Sequence, residues 1–120
     1  MNEQTTLIEI AISNQILTSR QALRGVQQWI CENRETKSLQ KEAPKEFHMN
    51  ILHEAHEAHI TTYNQACEYY YFDRVDKRLF IERYCNEIKN IVEKDNLYKS
   101  YDKKEFKYIN KFYEDNCKSK

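Results

Sequence analysis

The sequence predicts an all-α fold, a four-helix bundle-like arrangement with a long N-terminal helix and a C-terminal helical hairpin. Three observations carry that expectation. Apolar residues recur at spacings of three and four along several stretches, the period of helices with one face on a core. A single Gly and a single Pro in 120 residues leave little material for long irregular loops. The length suits one domain with one core, so 1–120 is a single helical unit, with 1–34 as the long first helix and 44–118 as the helical core.

The first helix is expected over about Asn2 to Asn33, where Ile8, Ile12, Ile16, Leu23, Val26 and Ile30 form a stripe with Thr5 and Ser19 in its gaps. It would be about 45 Å long at 1.5 Å per residue. Leu7, Ile10 and Leu17 project to the opposite side, and one face cannot bury both sets. They are therefore candidate interface residues, toward a partner or a second copy of the chain. Trp29 also lies off the stripe and is a candidate anchor, although a large aromatic at the edge of a core is the plainer role.

Between Glu35 and Ala43 the period is lost, which marks a linker, and Pro44 suits the first turn of the next helix. That second helix, reaching Phe72, is the element around which the others are arranged. Phe47, Ile51, Ala55, Ala58, Thr62, Ala66 and Tyr69 fall within an arc of roughly 100° along it. Asp73 and Arg74 make a short turn. Asp76 then caps a third helix with Phe80, Tyr84, Ile88 and Ile91 on its buried side, widened by Ile81, Cys85 and Val92. A break follows at Asp95 and Asn96. Asp102 with Glu105 has the spacing of a capping box, opening a short last helix with Phe106, Ile109 and Tyr113 inward and Tyr108 and Phe112 elsewhere.

Nineteen basic residues balance nineteen acidic ones, so no net field draws the chain to a phosphate backbone, and composition argues against nucleic acid as a partner. The four cysteines, Cys31, Cys67, Cys85 and Cys117, are never in a C-x-x-C pair, which excludes zinc-ribbon and thioredoxin spacing. Free thiols in a reducing compartment are the simplest expectation, hence a cytoplasmic location. Charged and polar residues interrupt the apolar positions near the start, and no uninterrupted apolar run reaches eighteen, so no membrane segment is expected.

His53, His56 and His59 form the run HEAHEAH, and imidazole is a common zinc ligand. A metalloprotease pair, however, needs H-E-x-x-H, and Glu57 stands where the second His should be. Spacing by three also carries the rings round the helix in a spiral. His53 and His56 with Glu57 are thus weak metal candidates, and His48 and His59, on the apolar side, are expected to be satisfied core or flank residues. Nucleophilic catalysis needs a base and an oxyanion hole, for which one mid-helix glycine, Gly25, offers no loop. No enzyme activity, catalytic residue or cofactor is expected.

Nine Tyr and five Phe are many for this length. The block Tyr69, Tyr70, Tyr71, Phe72 cannot all face one core, because successive helical residues diverge by about 100°. Tyr69, Tyr71 and Phe72 therefore join the interface candidates.

From Tyr63 to Glu93, roughly a quarter of the chain, the sequence YNQACEYYYFDRVDKRLFIERYCNEIKNIVE resembles the C-terminal segment of a group of small, uncharacterised helical proteins of bacterial chromosomes and prophages. The elements that carry the resemblance are Tyr63, Ala66-Cys67, Tyr70, Val75-Asp76-Lys77, Phe80, Tyr84 and Glu87-Ile88-x-Asn90-Ile91-Val92-Glu93. Phe72 departs from the acidic residue usual at that turn. The resemblance implies mobile elements and phage–host conflict as the setting. Packing accounts for most of the motif, since Tyr63, Ala66 and Tyr70 would face Phe80, Tyr84, Ile88 and Ile91 across a helical hairpin. Glu87 lies within the apolar arc and calls for a partner such as a Tyr hydroxyl or a Lys. The expected function is a non-enzymatic protein–protein interaction module, with a homodimer as one form of it. The alternative is a metal-dependent or nucleic-acid-acting helical domain using the His-rich helix.

Overall fold

The computed structural model describes residues 3–34, 45–102 and 104–118, with backbone alone for 33, 34 and 45–48. Among these residues there are five α-helices and one π-helical turn, and no strand. The all-α class is as the periodicity predicts. The helices are α1 (Glu3–Arg34), α2 (Lys45–Tyr71), α3 (Lys77–Lys94), α4 (Asn96–Ser100) and α5 (Lys107–Phe112), with the π turn at Tyr113–Cys117. The expected linker and Pro44 lie outside the described residues.

α1 and α2 lie side by side, and α3, α4, α5 and the π turn close over α2 from about His53 to its end. The core is built from Ile12 and Ile16 of α1, Ile60, Tyr63, Cys67 and Tyr70 of α2, and Phe80, Tyr84, Ile88 and Ile91 of α3. Ile109 and Phe112 of α5 join it, together with Ala66, Val75, Tyr98, Phe106, Tyr113 and Cys117. It is an aromatic core: Tyr70 packs edge-on to Phe112 at 4.9 Å, and Phe80 lies 4.8 Å from Tyr84. Such ring pairs stabilise beyond their buried area, by about 0.5–1.5 kcal/mol each.

The predicted α3 face is the observed one, and Asp76 caps this helix by accepting from the Leu79 N–H at 3.1 Å. The turn before it is a Schellman motif: Arg74 N–H bonds the Tyr69 carbonyl and Asp73 N–H the Tyr70 carbonyl, with Asp73 in the left-handed region at φ 59°. Asp tolerates that conformation better than most residues, and Phe72 does not need it.

Four expectations are corrected. The buried face of α2 is Ile60, Tyr63, Ala66, Cys67 and Tyr70, rotated by roughly 110° from the expected stripe; of that stripe Ala66 is buried, whereas Ala58 and Tyr69 are exposed. Four of the seven expected positions, Ala55, Ala58, Thr62 and Ala66, are Ala or Thr, whose burial contributes little, whereas the large side chains decide the contact. The last helix starts at Lys107, because Asp102 closes a local turn, accepting from Lys104 N–H at 3.1 Å, and α4 forms where only a break was expected. Phe112 is fully buried beside a buried Tyr113, since the π turn inserts an extra residue and brings consecutive positions inward. Cys85 and Cys117 are not free thiols but joined in a disulfide, their Cα atoms 5.5 Å apart; Cys31 and Cys67 are free. Their separation of 32 in sequence hid a proximity that only the return of the π turn onto α3 creates.

Candidate functional site

Two features stand out from the fold: a polar cluster between α1, α2 and α3, and an apolar surface. The cluster is assembled around Glu87. Arg20 donates to both of its carboxylate oxygens at 2.8 Å and to the Tyr63 hydroxyl at 3.1 Å, while that hydroxyl donates to Glu87 Oε2. The expected Tyr partner is present; the cation is an Arg of α1, not a Lys. Beside it Ser19 Oγ donates to the Ile16 carbonyl at 2.9 Å and lies 2.7 Å from His59 Nδ1, so His59 is the donor in the second contact. Burial, then the nearby Arg20 charge, push the His59 pKa below its ordinary value. These groups answer one another, and no Gly-rich turn lies beside Ser19. The arrangement fastens three helices together.

The other histidines diverge. His56 Nε2 meets Asp95 Oδ2 at 2.5 Å, whereas His53 Nε2 lies 3.1 Å from the Tyr101 hydroxyl and 3.7 Å from Glu57. Asp95 thus serves two ends, since its Oδ1 also caps α4 through Tyr98 N–H at 3.0 Å. His53, His56 and Glu57 are not drawn to a common point, and among the described residues no group of three His, Cys, Asp or Glu side chains could hold a metal ion. The side chain of His48 lies outside the described residues. Cys67 is buried, and burial pushes its thiol pKa far up, which keeps it from acting as a nucleophile.

The surface candidates are placed as their helical positions require. Leu7, Ile10 and Leu17 are 61%, 52% and 48% exposed on the side of α1 away from the core. Phe72 is 59% exposed, and Trp29 and Tyr69 are exposed too. Tyr69 and Phe72 line one shallow groove with Ile8, Glu68 and Arg74; Ile8 packs on the core and lies about 100° or more round α1 from Leu7, Ile10 and Leu17, so this is a second surface and not a continuation of theirs. Tyr71 differs: it is half-buried, its hydroxyl donates to Asp115 at 2.7 Å, and Lys111 sits over its ring at 4.6 Å. Its surroundings are those of a packing residue. Asn90 is exposed on α3.

Sequence reasoning missed Arg20, Ser19 and Asn64. The last accepts from both Tyr108 and Ile109 N–H at 3.1 Å and so caps α5 from α2. Ser19 was legible as a polar residue within the buried stripe of α1, though not its partner; Arg20, at the stripe's edge, and Asn64 carried no signal. No helix among the described residues is long and apolar enough to cross a membrane. Comparisons of the chain with family models, curated proteins and solved structures return no match.

Proposed function

We propose that the chain is a non-enzymatic protein–protein interaction module, binding through the outer face of α1, with the exposed Tyr69 and Phe72 end of α2 as a second contact surface. The observation that carries this is the exposure of Leu7, Ile10, Leu17 and Phe72 on a molecule whose other large side chains are mostly packed. Covering apolar area is the main favourable contribution to association, and Leu7, Ile10 and Leu17, exposed along one face of α1, are placed for it. The polar clusters, by contrast, pair their groups with one another, Arg20 with Glu87 and Tyr63, Ser19 with His59, and His56 with Asp95. The resemblance of 63–93 supports a bacterial or phage origin, with phage–host conflict as the setting and a protein, including a second copy of the chain, as the partner.

The proposed location is the cytoplasm. Reducing compartments keep thiols free, so the Cys85–Cys117 bond opposes this location and provides its test. Alkylation in intact cells followed by mass spectrometry would find both cysteines modified in a cytoplasmic protein; a protected pair would place it elsewhere.

The binding proposal is tested by immobilising the chain beside a Leu7→Asp/Leu17→Asp/Phe72→Ser variant and passing native-host extract over both. A protein retained stoichiometrically by the parent and lost by the variant, with helical circular dichroism unchanged, is the expected result. Equal retention on both would overturn the assignment of this surface.

A further inference from the structure

We propose that the occupant of the outer α1 face is a second copy of this chain, lying antiparallel to the first. This rests on the interaction function proposed above and adds the partner and its direction. Glu3, Leu7, Ile10, Asn14, Leu17, Gln21 and Arg24 are separated by four, three, four, three, four and three residues, and all seven are exposed. That is the a/d spacing of a coiled coil, with one Asn inside an otherwise aliphatic stretch. Because Ile12 and Ile16 hold the opposite side of α1 to the core, this seam is left uncovered by the described residues.

Self-pairing follows from charge and from size. The seam is acidic at one end, Glu3, and basic at the other, Arg24. In a parallel pair each end would meet its own charge. In an antiparallel pair with a opposite d, Leu7 meets Leu17 of the other copy twice, Ile10 meets Asn14 twice, and Glu3 lies about one turn from the other copy's Arg24 at both ends. An overlap from residue 3 to residue 24 is about 33 Å long, and it buries less than the roughly 800 Å² per partner of a standard interface. The dimer is accordingly reversible, with a dissociation constant on the order of micromolar.

Sedimentation equilibrium of the full chain from about 1 to about 200 µM, with Glu3→Arg, Arg24→Glu and the double exchange, tests this. The expected result is a monomer–dimer equilibrium in which each single exchange raises the dissociation constant about fivefold and the double exchange restores it. Leu17→Asp should abolish the dimer, with circular dichroism showing the fold retained. A dimer indifferent to the single exchanges would overturn the antiparallel arrangement, since parallel pairing keeps like against like in every variant. A monomer at every concentration would overturn the second copy as occupant, while the extract comparison above decides separately whether another protein binds there.

Discussion

Glu87 shows how one side chain ties a fold together. A carboxylate in an apolar arc is costly unless it is paired, and here Tyr63 and Arg20 both reach it. The need for a partner could be read from the helical wheel of α3, and so could the phenol. Arg20, 67 residues away, could not. His59, packed edge-on to Tyr63 at 5.1 Å, carries a testable consequence. Its folded pKa is lowered, first by burial and then by Arg20 and His56, with Asp95 opposing. The unfolded chain therefore takes up a proton near pH 6.5 that the folded chain resists, and stability declines as pH falls through that value. Thermal unfolding from pH 8 to pH 5 should give a shallower loss for His59→Gln than for the parent. Identical slopes would remove His59 as the cause.

At the scale of elements, legibility followed the size of the side chains and the distance to the capping group. The α3 face was readable because four large residues repeat on one side and Asp76 supplies a local cap. α2 was misjudged because it contacts α1 and the C-terminal helices together, and small residues do not decide between those faces. The start of α5 was unreadable for a different reason. Phe106 has no side-chain cap, and Asn64 supplies one from 44 residues away. Asn64→Ala should cost about 1 kcal/mol in urea unfolding, with Asn64→Asp close to the parent. No loss in the Ala variant would mean that water satisfies those N–H groups equally well.

Across the whole molecule the cohesion is uneven. The Cys85–Cys117 bond closes a loop with a sequence separation of 32, which by restricting the unfolded chain contributes about 4 kcal/mol and ties together the end where the aromatic rings already crowd. Away from that end, the Cα trace stretches to 54 Å against 31 and 21 Å. There the second half of α1 and the first half of α2 run on as a pair, with Ile30 the one buried hydrophobic side chain described before Ile60 is reached. A helix pair with so little apolar area out of water can fray and re-zip while the remainder stays folded. Deuterium uptake at the amides of 22–30 and 49–56 should therefore outpace that of 80–91 by at least tenfold under native conditions. Uniform uptake would mean one cooperative block. A protein built this way has a hard end and a soft end: a partner clamped on Leu7, Ile10 and Leu17 would sit behind the hard end, where Ile12 and Ile16 already hold α1, and leave the tip of the two-helix pair free to open first.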